Sequence, residues 1–310
     1  MVLNIPLCIS FAILNYSLLN IGMVLQKKGA SELPDIEKTS AVQNVKNFLK
    51  SPIWMIGFIF TNIQVVLNWI ALTYGPMSLV APMAGVGLVV LVIFSKYYLK
   101  EPINKKMYLS CVLTIIGVIM FGATSTGEEE LLSFSETLTI IIGIPAITFI
   151  IVVIIAALVP AIIAITMNYK FADALFGIGS AFSTTIGALF SKVLTSGFSD
   201  FANNWPLLLL FLVFILAGNG GSMIMQQVGF QKGKAIVLTP IFIVGTIILP
   251  MITGILLFNE FATYNSIIIT VKIIATVVTL VGVGLLSYFN ELTKIKEGIL
   301  IDEEKYEDIE

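Results

Sequence analysis

The side chains available for chemistry inside this chain are amides and hydroxyls. Histidine is absent, and all 17 basic residues are lysine. Of the 19 acidic residues none falls at the centre of an apolar run; Glu101, Glu136, Asp173 and Glu260 sit where such runs end. Buried carboxylates are the usual proton relays of membranes, so proton-coupled exchange has no evident carrier. The remaining polar groups are patterned. Thr61, Gln64 and Asn68 recur at i, i+3 and i+7, one face of a helix, and Asn219, Ser222 and Gln226 repeat the spacing. Asn15 and Gln26 share another face with Leu19 and Gly22. Such faces can line a cavity for a polar solute or a partly hydrated ion. The competing reading is interhelical hydrogen bonding, worth roughly 1 kcal/mol or less per bond. Pro82 and Pro240 break or kink their helices and free carbonyls toward the same space, or serve as structural kinks alone. No nucleophile–base pair or metal cluster supports an enzyme, and no cofactor is implied. Cys8 and Cys111 lie in apolar runs, so they read as packing residues, not as a disulfide or metal site.

The elements that must hold these groups are membrane helices. Of 310 residues 57% are hydrophobic and 12% charged, with net charge −2; mean hydropathy is +1.00. That composition cannot cover a soluble surface of this size, and it gives nucleic acid no basic patch. Nine runs are long enough for a bilayer core of about 30 Å: 5–26, 53–74, 78–98, 107–123, one within 137–167, 175–194, 205–230, 235–258 and 267–289. They are continuous, without the alternation of barrel strands, so helices are expected. The first run follows no basic n-region and ends in Gln26-Lys27-Lys28, so it reads as helix 1 and not as a signal peptide. Ala41, Val42, Val45, Phe48 and Leu49 recur at helical spacing between lysines, which predicts a short helix on the membrane surface. With the N-terminus outside and the C-terminus cytoplasmic, fifteen of the seventeen lysines fall on inner segments, leaving Lys192 and Lys272. The positive-inside rule favours that orientation.

The chain also matches itself. Ile21-Gly22 and Lys27 reappear 165 residues later as Ile186-Gly187 and Lys192. Gly75, Pro82 and Gly87 match Gly233, Pro240 and Gly245 at an offset of 158, and Gly117-Val118 match Gly282-Val283 at 165. At the 158 offset Thr61, Gln64 and Asn68 fall on Asn219, Ser222 and Gln226. The expected plan is all-α: a four-helix repeat (1–126), a connecting helix 5 (127–172), a second, inverted four-helix repeat (173–290) and an acidic cytoplasmic tail (291–310). Inverted halves can expose one central site to each side in turn. A duplicated scaffold without transport is the alternative.

The residues resemble the drug/metabolite transporter superfamily. The likeness rests on Val24-Leu25-Gln26-Lys27-Lys28-Gly29, on 68–76 with Leu79-Val80-Ala81-Pro82, and on the acidic helix ends Leu99-Lys100-Glu101 and Phe258-Asn259-Glu260. Within it the chain looks most like the NIPA-type magnesium transporters, which share the 4+1+4 plan, the lysine-rich end of helix 1 and an Asn eight residues before the Pro that ends helix 2. That resemblance implies Mg²⁺ as substrate; the expected location is the plasma membrane. An EamA-like permease of a small uncharged or zwitterionic metabolite is the other transport reading. NIPA proteins carry a Gly-Glu-x-x-Asn-Phe stretch where this chain reads Gln64-Val65-Val66-Leu67-Asn68-Trp69: the Asn stands, and the Glu is Val65. Small multidrug exporters carry a helix-1 Glu at the place of Leu19, which disfavours proton-coupled drug export. The expected partners are Mg²⁺ or a small solute, the lipid bilayer and, as an open alternative, a second copy of the chain. Lys272 matches Met107 at the start of helix 4, which predicts an interfacial, snorkelling lysine.

Overall fold

With no water inside a bilayer, each backbone N–H and C=O must bond within its own segment, so long apolar runs become helices. A computed structural model bears this out. It describes residues 3–33, 41–100, 103–125 and 131–296, and among them every regular element is helical. Glu101, Lys38 and residues 297–310 of the expected tail lie outside the described residues.

The elements are α1 (Ile5–Ser31), α2 (Ala41–Lys50), α3 (Pro52–Tyr74), α4 (Met77–Val80), α5 (Ala84–Phe94), α6 (Lys105–Ala123), α7 (Phe134–Ile142), α8 (Ile144–Thr166), α9 (Ala172–Ser196), α10 (Phe201–Lys232), α11 (Ala235–Phe258) and α12 (Ser266–Lys296). Local sequence sets several starts. The Ser51 hydroxyl accepts the Trp54 N–H, with Pro52 opening α3. Asn104 caps α6, and Ser133 with Glu136 forms a capping box on α7. Glu136 thus sits in an exposed first turn, where the Ser133 hydroxyl and N–H hold its carboxyl below the usual range.

A 3₁₀ turn at Ala81–Met83 joins α4 to α5, and a π turn at Ser95–Leu99 ends the span. Pro82 sits in that 3₁₀ turn, whereas Pro240 lies inside the unbroken α11. The connecting segment is two helices, broken at Gly143 before Pro145. Among the described residues, eight helical stretches are long and apolar enough to cross a membrane. One of them, Ala172–Phe230, turns back on itself at Gly197, giving α9 and α10 packed face to face.

Helix ends gather into two groups. The N-terminus of α1 meets the end of α3 through Asn4 N–H and the Tyr74 carbonyl (3.0 Å). There too lie the start of α4 and the ends of α9 and α11, around Gly75. At the other end Gly233 packs on the Asp173 backbone, and the Asn104 amide reaches Thr293 (3.1 Å). The largest core cluster fills the Gly75 end, with Cys8, Leu72, Met77, Leu79, Phe190, Val193, Met251 and Phe258.

Candidate functional site: two polar seams and a charged corner

Glycine lets α1 and α3 approach closely. A methyl group at Gly22 would come within 2.8 Å of the Gly57 carbonyl and the Thr61 side chain. Polar side chains flank this contact. The Gln26 amide donates to the Thr61 hydroxyl (3.0 Å) and the Asn15 amide to Asn68 Oδ1 (3.1 Å). Asn15 is 1% exposed, and its own Oδ1 has no hydrogen-bond partner among the described residues. Leaving a buried acceptor unmet costs about 1–3 kcal/mol. Gln64 lies one turn before Asn68, half-buried, with Val65 beside it.

The seam between α9 and α10 is built alike. Gly187 packs on the Asn219 side chain, and Gly218 approaches the Gly187 nitrogen. The Thr184 hydroxyl donates to Ser222 (2.7 Å), and Gln226 Nε2 donates to the same oxygen (3.1 Å). Asn219 is exposed and bonds the Ile215 carbonyl. The structure therefore joins Thr61 and Asn68 to α1 and Ser222 to α9. No hydrogen bond links the two triplets among the described residues. Pro82 is buried and Pro240 half-buried.

Spacing in the sequence marked the polar faces, though not their partners; it did not mark a charged corner between α3 and α4. Lys192 Nζ, on α9, donates to the carbonyls of Leu72 (3.2 Å) and Gly75 (2.9 Å). Glu260, just past α11, accepts the Met77 N–H with Oε1 and the Ser78 N–H with Oε2, each at 2.7 Å. Both side chains are 9% exposed. The cation meets the final carbonyls of one helix and the carboxylate the first N–H groups of the next, as the helix dipoles favour. A methyl at Gly254 would strike the Glu260 carboxylate, and one at Gly75 would strike Cys8. The sequence held one clue: Lys192 and Lys272 were the two lysines left off the inner segments.

Lys272 corrects an expectation. It is 1% exposed and does not snorkel. Its ammonium lies 4.4 Å from the ring centres of Phe121 and Tyr264 and donates to Ser125 (2.7 Å). The aromatic faces and the nearby end of α6 replace water around the charge. Among the described residues no three Cys, Asp or Glu side chains stand close enough to share a metal ion.

Long apolar helices, seamed by glycines and amides, define an integral multi-pass membrane protein. The sequence model of the magnesium transporter NIPA family matches residues 5–292. The chain belongs to that family. It is similar to "Magnesium transporter NIPA4" of Mus musculus, 25% identical over 293 residues, covering 92% of this chain and 71% of that protein. "Probable magnesium transporter NIPA9" of Arabidopsis thaliana is 35% identical over 111 residues, covering 36% of this chain and 31% of that protein. "Magnesium transporter NIPA3" of Homo sapiens is 29% identical over 115 residues, 37% of this chain and 28% of that protein. The matches to NIPA9 and NIPA3 thus span under a third of those proteins. No solved structure matches. The relatives are named as transporters, and the chain is not an enzyme.

Proposed function

We propose that the protein carries Mg²⁺ across the plasma membrane by alternating access between two inverted four-helix units, residues 1–126 and 173–290, joined by 127–172. Family membership supports the ion, and the observation that carries the mechanism is a reciprocal contact. A methyl at Gly117 would come within 2.6 Å of the Thr279 nitrogen, and one at Gly282 within 2.6 Å of the Thr114 nitrogen. Those four residues are mates at the 165 offset, so α6 and α12 meet as two halves related by a twofold axis would. Other contacts repeat between mates. Gly87 packs on Tyr16 and Gly245 on Ala181; Gly75 packs on Cys8 and Gly233 on Asp173. Lys100 and Asn259 both close their helices in the left-handed conformation, each N–H reaching the carbonyl five residues back.

Mg²⁺ dehydrates reluctantly and keeps several waters when bound. In this reading the waters donate to neutral oxygens along a pathway lined by Asn15, Thr61, Gln64, Asn68, Asn219, Ser222 and Gln226, with Pro82 and Pro240 marking the unit centres. The unmet Oδ1 of Asn15 is a ready acceptor for such a water. Neutral oxygens hold the ion weakly, as release to the far side requires. The lack of a carboxylate cluster among the described residues equally favours an EamA-like metabolite carrier, so the test includes both.

Purified protein in liposomes is offered Mg²⁺, amino acids and sugars, with internal dyes or tracers reading uptake. Mg²⁺ flux is expected, lost in Asn68→Leu and Gln226→Leu although both remain extractable. Flux of a neutral solute alone points to the metabolite reading, and no flux of any solute to the scaffold. The orientation places the Gly75 end outside. A cysteine at Ser133 is then labelled on intact cells and one at Lys232 only after permeabilisation; the reverse pattern inverts the topology.

A further inference from the structure

The corner at residues 72–78 belongs to the first unit, yet the charges that hold it come from the second. Lys192 binds the Leu72 and Gly75 carbonyls, and Glu260 binds the Met77 and Ser78 N–H groups. These are four charge-assisted bonds across the interface between units, made by side chains that are nine-tenths buried. Burying a charge is costly unless its partners stay in place, so this arrangement favours the closed corner and penalises a partly opened one. Gly254 leaves the space that Glu260 occupies, and Gly75 lets Cys8 close over the turn. Residues 75–83 are all buried beneath it.

We propose that Lys192 and Glu260 are positioning residues of the transport cycle: together they form a latch that closes the Gly75 end and must release for that end to open. The proposal rests on the alternating-access reading. In opening, α9 and the end of α11 withdraw from the corner, the backbone groups of 72–78 pass to water, and the two side chains become hydrated together. Opening also parts apolar side chains at this end, among them Leu72, Met77, Val193 and Phe258, and the four polar bonds set the register to which the corner returns.

Two native cysteines make the test direct. Cys8 lies against Gly75 at the corner, whereas Cys111 is buried in the separate cluster with Leu88, Val89, Met107 and Ile247. Neither is in a disulfide. Modification by a small water-soluble maleimide is followed at each cysteine in otherwise unaltered protein. In Glu260→Gln and Lys192→Gln, Cys8 is expected to react about tenfold faster or more, because losing charge-assisted bonds enlarges the open population. Cys111 should keep its original rate. Glu260→Asp retains the charge on a shorter arm and should restore much of the protection. Unchanged Cys8 rates in folded variants overturn the latch. So does joint exposure of Cys8 and Cys111 in all three variants, which makes the pair a plain structural anchor. Mg²⁺ flux is measured separately: labelling that follows the latch in protein with no flux leaves the latch standing and removes the magnesium reading.

Discussion

Residues 81–88, at the Gly75 corner, are buried except for Ala84 and Val86, whereas their mates 239–246 beyond the Gly233 corner are half-buried throughout. Similar sequence is thus treated differently at the two ends. At the first, Lys192 and Glu260 pin the backbone, and Pro82 stands in a 3₁₀ turn. At the second, Asp173 from the same unit approaches the Lys234 N–H at 3.4 Å, and Pro240 stays inside a continuous helix. Both corners have Pro seven residues after Gly, but Pro76 follows Gly75 directly where Lys234 follows Gly233. Local sequence thus helps break the first helix, and the buried Lys192 and Glu260 contacts add to the contrast. In the proposed alternating-access reading, two similar units held in different arrangements are what the cycle needs, and the contrast fits a conformation closed at the Gly75 end.

The contrast can be broken most forcefully at the glycines themselves. Both have extended backbones that any residue adopts, so their smallness serves close approach alone. A methyl at Gly233 would lie 2.5 Å from the Asp173 nitrogen and 2.8 Å from its Cα, atoms that cannot swing aside. A methyl at Gly75 meets only the Cys8 side chain before open space to Leu79. Gly233→Ala should therefore cost about 1–3 kcal/mol or more by overpacking, read as a lower Tm in detergent. Gly75→Ala should cost less and be restored by Cys8→Gly. Equal losses without rescue would mean that both corners are packed backbone to backbone.

Much of this fold could be read from the residue pattern, because the bilayer leaves few choices. Continuous apolar runs of about 20 residues can only be helices there. Some ends moved, α1 running on to Ser31 and α12 to Lys296, since lysine-bearing turns add helix beyond the apolar stretch; two runs are also interrupted, 137–167 at Gly143 and 78–98 at the 3₁₀ turn 81–83. The amide faces were legible because a 3.6-residue period records which groups share a side. That record does not say what lies opposite. Thr61 and Asn68 could not be assigned to α1, nor Ser222 to Thr184, without the packing. Lys192 and Glu260 were hidden for a stronger reason: each stands near a helix end, where hydropathy places charges in water. Their partners are backbone groups more than a hundred residues away, and backbone groups leave no mark on composition. Lys272 was misplaced similarly, since an aromatic cage drawn from 121, 261 and 264 is invisible to a single-helix reading.

The smallest expected effect sharpens what the first unit offers the ion. Val65 is half-buried on α3, three residues before Asn68, so a glutamate there would share the helix face that leads to the Asn15–Asn68 pair. If Mg²⁺ passes with its waters along neutral oxygens, one carboxylate adds a strong acceptor for those waters. Val65→Glu should then bind Mg²⁺ more tightly, and a tenfold change would add about 1.4 kcal/mol of ligand protection at saturating Mg²⁺. The readout is the Mg²⁺-dependent rise in Tm, compared between variant and parent. If the pathway takes a neutral metabolite, the carboxylate is an unpaired charge beside apolar helix, which lowers stability and transport together. Added Mg²⁺ would not repair that loss. The two substrates therefore give opposite signs for one residue, and the magnesium reading requires the rise.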